Sequence, residues 1–116
     1  MHFGEELVVG MHVERGVVIL VLEGWLNERT YEKLEASLAE VFSGGQYRVI
    51  VDMGKVEYMS SAGAGALMNA VSQCAENHGR LILANPTAGV REVLDVLNLE
   101  SVLPSMPSLE SALATF

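Results

Sequence analysis

Apolar residues along this chain switch between two spacings, and the switches divide it into strands and helices. Two β-rich runs, Leu7 to Glu14 and Val17 to Glu23, flank Arg15-Gly16 and predict an opening antiparallel hairpin. The stretch Val17 to Leu22 is apolar at every position, as in a strand covered on both faces. From Thr30 the spacing becomes helical: Tyr31, Leu34, Leu38, Val41 and Phe42 share one face, while Glu32, Lys33, Glu35 and Glu40 fall elsewhere. Thr30 is the expected N-cap, and Gly44-Gly45 the expected end.

Tyr47 to Met53 reads as a third strand, closed by the polar stop Asp52. After a Ser-Ser-Ala-Gly-Ala-Gly turn comes a helix with Leu67, Ala70, Val71 and Cys74 on its packing face, stopped by Gly79. Arg80 to Ala84 is a fourth strand, and Asn85-Pro86 turns the chain into a helix carrying Val90, Val93, Leu94 and Leu97. Ser101 to Leu103 is an expected short edge strand. Ser108 caps a last helix with Leu109, Ala112, Leu113 and Phe116 inward. Strands alternate with helices after the hairpin, so the expected fold class is α/β: a mixed sheet of four to five strands with about four helices packed against it. No linker, repeat or low-complexity tract interrupts the order, and residues 1–116 are expected to form a single domain.

Composition narrows the functional classes. A chain of 116 residues that is 50% hydrophobic has enough apolar material for one core without disulfides or a metal. The longest apolar run, Val17 to Leu22, is far short of the roughly 18 to 20 residues that cross a bilayer, and the start lacks a basic region before an apolar one, so neither insertion nor export is expected. The single cysteine, Cys74, fits a reducing compartment, and the cytoplasm is the expected location. Fifteen acidic against seven basic residues give a formal charge of −8, which repels a polyphosphate backbone; direct nucleic-acid binding is not expected.

The candidate chemistry lies in Val49 to Gly65, where Ser60 and Ser61 stand between a buried strand and a helix that opens with small residues. A hydroxyl there faces the unpaired N–H groups of a first helical turn, and the glycines admit close approach of another backbone. In mixed sheets of this kind functional loops gather beyond the carboxyl ends of parallel strands, which is where this turn falls. Without further information, a serine in this place is also a common N-cap.

Several residues in order carry a resemblance. The sequence hydrophobic strand, Asp52, aromatic Tyr58, Met59, Ser, small residue, Gly, x, Gly resembles the phosphorylation region of anti-sigma factor antagonists, the bacterial members of the STAS domain family. Gly24-Trp25-Leu26-Asn27 looks like that family's G-x-[LI]-D, and Val90 to Phe116 looks like its closing helix, L-x-x-L and final S-x-x-x-A-L pattern. Alignment with the family's D-S-[ST]-G core puts Ser60 in place of the Asp, Ser61 in place of the phosphorylated Ser, Ala62 in place of the second hydroxyl residue, and Gly63 in place of the Gly. The resemblance implies a STAS-like fold and a partner-switching module. Unmodified, such a module captures an anti-sigma factor and frees a sigma factor; phosphorylation by that factor, a serine kinase of histidine-kinase-like ATPase type, reverses the capture. Ser61 is the implied phosphoacceptor with Ser60 as second choice, and Asn27, Ser60, Ser61, Ala62 and Gly63 the implied partner surface. Ser60 and Ala62 depart from the pattern, so the alternative is a phosphorylation-deficient STAS scaffold or a subunit of a larger signalling or transport assembly.

Other chemistries have less to stand on. A serine enzyme would need a base near Ser60 or Ser61, where the neighbouring ionisable residues are Glu57 and Tyr58. His2, His12 and His78 lack ligand spacing, and no metal or other cofactor is expected. Cys74 lies at helical spacing from Leu67 and Val71 and reads as a small core residue. Trp25 occupies a loop-like position, either over the core or in the partner surface.

Overall fold

In a computed structural model, which describes residues 6–116, the elements are β1 (Leu7–Glu14), β2 (Val17–Leu26), α1 (Tyr31–Ser43), β3 (Arg48–Met59), α2 (Ser61–Glu76), β4 (Arg80–Ala84), α3 (Ala88–Val96), β5 (Ser105–Met106) and α4 (Leu109–Leu113). They build one five-stranded sheet in the order β1-β2-β3-β4-β5, antiparallel only between β1 and β2. The hairpin turns on Arg15 and Gly16, both at positive φ (53° and 76°), the backbone a two-residue turn needs to follow strand twist. Alternation along the central strands sends side chains into two cores. Val18, Leu20, Leu22, Val49, Val51, Met53, Leu81 and Leu83 pack under α1, α2 and α3 with Leu34, Leu67, Ala70, Cys74 and Val90. Val17, Ile19, Ile50, Ile82 and Ala84 face α4 through Ala112 and Leu113.

Four expectations change. β2 does not end at Glu23 but runs to Leu26, so Trp25 belongs to a strand and pairs in register with Tyr58 of β3. β3 does not stop at Met53; it continues to Met59 and at two places carries one residue more than β2 opposite it. These bulges break the two-residue alternation that marks a strand in sequence. Asp52 is therefore mid-strand, and its Oδ1 accepts from the Gly54 N–H at 3.0 Å at the first bulge. The edge strand is Ser105–Met106 and not Ser101 to Leu103, because Leu103 turns into the core and Pro104 offers its carbonyl to the Leu83 N–H. α2 ends before Gly79: the left-handed residue is His78, at φ 63°. His2 lies outside the described residues.

Candidate functional site

The carboxyl ends of β2 and β3 finish side by side, with Leu26 opposite Met59, and the chain passes from Met59 directly into α2. The Ser60 N–H donates to the Leu26 carbonyl at 2.9 Å, extending the strand contact by one bond. Ser60 then sits at the N-cap in extended conformation, and its hydroxyl accepts from the Gly63 N–H at 3.4 Å. That oxygen is thus committed to the helix end, and the residue is only 6% exposed. Ser61 is the first residue of the helix and is exposed; its side chain has no hydrogen-bond partner among the described residues. Ala62 is half-buried.

Gly63 departs from the expectation that it makes room for a visiting backbone. It is buried, and a Cβ there would meet the Cγ and carbonyl oxygen of Leu26, each at 2.7 Å. The close approach belongs to the chain itself: helix α2 packs on the end of β2 through this missing side chain. Gly65 is exposed with nothing near its Cβ position.

Asn27 lies next to Leu26 and so at the same sheet end as Ser60, but at 5% exposure it is beneath the surface. Its Oδ1 accepts from the Arg29 N–H at 3.0 Å, and its carbonyl accepts from Tyr31 N–H at 2.9 Å. Thr30 stands at the N-cap position of α1 without capping it: its hydroxyl turns back to donate to the Trp25 carbonyl at 2.6 Å and accepts from the Asn27 N–H at 3.0 Å. Asn27 and Thr30 therefore lock the β2–α1 turn below the serine turn.

A second feature flanks Ser61. α3 is moored to the extended part of β3, where the Thr87 hydroxyl donates to the Val56 carbonyl at 3.1 Å while capping its own helix. Between them lies an open groove of about 350 Å³, lined by Tyr58, Met59, Ser60, Ser61 and, from α3, Gly89, Glu92, Val93, Val96 and Leu97. Tyr58 also packs against Trp25, with ring centroids 5.2 Å apart and the planes tilted by 48°, so an aromatic pair borders the groove on the β2 side. Of the apolar set Val90, Val93, Leu94 and Leu97 read from the sequence, Val90 and Leu94 are buried while Leu97 is exposed, and Val96, given no role there, is more exposed still. The available signal was that Val96 falls off the stripe formed by Val90, Val93, Leu94 and Leu97. Away from the site, burial pushes the Cys74 thiol up to about 11. Among the described residues no helix is long and apolar enough to cross a membrane.

The STAS domain family matches residues 9–112 of this chain. The chain belongs to that family. BtrV of Bordetella bronchiseptica, assigned as an anti-sigma factor antagonist, is 36% identical to this STAS domain over 101 residues, 87% of each chain. The fold matches a solved structure from Thermotoga maritima with the same assignment at a TM-score of 0.87, with 20% identity over 92% of both chains. The anti-sigma factor antagonist SpoIIAA in its unphosphorylated form matches at 0.77, with 24% identity over 93% of this chain and 95% of that one. This STAS domain is thus of the anti-sigma factor antagonist type.

Proposed function

We propose that this STAS domain works as a partner switch whose control atom is the Ser61 hydroxyl oxygen. Unmodified, it captures a kinase-type anti-sigma factor of the histidine-kinase-like ATPase kind and so releases a sigma factor. That kinase moves the γ-phosphoryl group of ATP to Ser61 Oγ, with ADP leaving and the hydroxyl proton passing to a base on the kinase. The domain itself acts by binding, in the cytoplasm and without catalysis or contact with nucleic acid; its charge of −8 disfavours the last of these.

The observation that carries this reading is the contrast between the two serines. Ser60 spends its oxygen on the Gly63 N–H in a covered position, whereas Ser61 presents an unengaged hydroxyl at the mouth of a helix of 16 residues. The contrast favours Ser61 over Ser60 as acceptor. Ser61 and Ala62 form the accessible part of the partner surface, and Asn27, Ser60 and Gly63 support them from below. A phosphate on Ser61 faces the positive end of α2, an arrangement worth roughly 0.3 to 1 kcal/mol when exposed, so the modified domain stays folded. In the complex the sign reverses, because a bulky dianion must be desolvated where a bare hydroxyl fitted; about 3 kcal/mol of penalty lowers affinity more than a hundredfold. Incubation with the cognate kinase and ATP tests this. Ser60→Ala should accept phosphate at the wild-type site and Ser61→Ala should not. Labelling that survives Ser61→Ala unchanged would remove the basis of the proposal.

A further inference from the structure

Three large exposed apolar side chains converge on the groove between β3, the Ser61 turn and α3: Tyr58 is 45% exposed, Val96 77% and Leu97 41%. Singly such residues are ordinary on a surface, but joined over the apolar floor of Met59 and Val93 they form one patch, the kind that marks a contact with another molecule. The groove is shallow and open, so it suits side chains delivered by a protein better than a small ligand enclosed on all sides.

We infer that this groove receives one or two aliphatic or aromatic side chains of the anti-sigma factor, on a segment that also carries a lysine or arginine. This deepens the reading of the domain as that factor's partner and rests on it. Two features select the occupant. Glu92 is the only charged side chain in the lining among the described residues, so it matches a cation and disfavours an acidic peptide or a fatty-acid carboxylate, as does the net charge of −8. Ser61 belongs to the same lining, so a kinase that reaches its Oγ covers the groove in the same encounter. Contact apart from the reacting hydroxyl then supplies the affinity, and the hydroxyl supplies the control. Once phosphorylated, Ser61 holds a hydrated dianion at the mouth of the groove, in the way of the entering apolar side chains.

The experiment measures affinity of the cognate anti-sigma factor for the unphosphorylated wild-type domain, Val96→Asp, Glu92→Lys and Val13→Asp, by calorimetry, with circular dichroism melts of each. Val96 and Val13 are both largely exposed, so neither change should alter the fold, and Val13 on the outer strand β1 reports the effect of an added charge away from the groove. Val96→Asp should weaken binding about tenfold or more. Glu92→Lys should weaken it about fivefold, mostly by slower association, and Val13→Asp should stay within about twofold of wild type. Wild-type binding matched within about twofold by both Val96→Asp and Glu92→Lys would overturn the groove while leaving the partner switch intact. No binding by wild type overturns the partner switch and this inference with it. A homodimer that Val96→Asp dissociates, with affinity for the factor unchanged, assigns the groove to a second copy and also overturns it.

Discussion

A methyl group on Gly63 would lie 2.7 Å from both the Cγ atom and the carbonyl oxygen of Leu26, so the first turn of α2 and the last residue of β2 are in contact through an absent side chain. Gly63→Ala gains about 0.5 to 1 kcal/mol of helix propensity but must push a backbone carbonyl aside, and overpacking of that kind costs about 1 to 3 kcal/mol. The net expectation is a loss of about 1 to 2 kcal/mol in urea unfolding. Gly65, two residues on, has open space at its Cβ position, so Gly65→Ala should gain about 0.5 to 1 kcal/mol. The same substitution thus has opposite signs at neighbouring glycines, and equal midpoints for the two variants would contradict the Leu26 contact.

The two serines should separate in the same assay. Ser60→Ala deletes the α2 cap; because the bond to Gly63 N–H is long at 3.4 Å, the loss should fall near the lower end of the range, about 0.5 to 1 kcal/mol. Ser60→Asp restores an acceptor at the positive helix end and should remain within about 0.5 kcal/mol of wild type. Ser61→Ala removes no bond and should also change stability by less than about 0.5 kcal/mol. A larger loss at Ser61 than at Ser60 would mean that the capping roles are exchanged.

Much of this architecture is legible in local pattern, and the unread parts share one cause. Leu34, Leu38 and Val41 keep helical spacing and are buried under α1, and Leu67, Ala70 and Cys74 do the same under α2, because both helices bury a single continuous stripe. The far ends of β2 and β3 are hidden from pattern reading: Gly24 and Trp25 look like turn residues, and the first bulge after Asp52 puts Val56 out of phase with Met53 before the second returns Met59 to it. What keeps those residues in strands is their pairing with each other, including Trp25 against Tyr58, a tertiary effect. The serine boundary could be read because a cap is local chemistry. The groove could not, since its two walls, α3 and the far end of β3, are brought together only by tertiary contacts such as the Thr87 bond to Val56 and the packing of Val90 on the core.

Cys74 gives the fold a signature at alkaline pH. Its thiol is fully buried, and loss of hydration raises the folded pKa from 9.0 to about 11. A raised pKa means the folded state holds the proton more tightly, so the contribution is complete below about pH 9 and is lost as pH rises toward about 11. The rise to about 11 corresponds to about 2 to 3 kcal/mol. Wild type should therefore lose more stability than Cys74→Ala over that interval, although the variant starts lower because of its cavity. In native buffer near pH 8 the thiol should resist a maleimide or disulfide reagent until the protein unfolds. Parallel pH profiles, or rapid native labelling, would rule out this burial.

The α4 segment should be the part that opens first if its ring anchor is removed. α4 has only five helical residues, too few to hold together alone, and Phe116 secures the chain beyond it. The Phe116 ring packs on the core of Val17, Ile19 and Ile82, with the guanidinium groups of Arg48 and Arg80 5.6 and 5.3 Å from its centroid. Arg80 also donates to the Thr115 carbonyl at 2.6 Å, tying the same segment to the start of β4. Each exposed cation–π contact is worth roughly 0.5 to 1 kcal/mol. Phe116→Leu keeps most of the apolar contact and should lose only that increment, whereas Phe116→Ala should lose about 2 kcal/mol. Hydrogen exchange distinguishes local from global loss: the amides of Ala112 and Leu113 should exchange at least about tenfold faster in Phe116→Ala, with those of β2 and β3 much less affected. Uniform acceleration across the sheet would show instead that α4 and the sheet open together, and that Phe116 is part of the cooperative core.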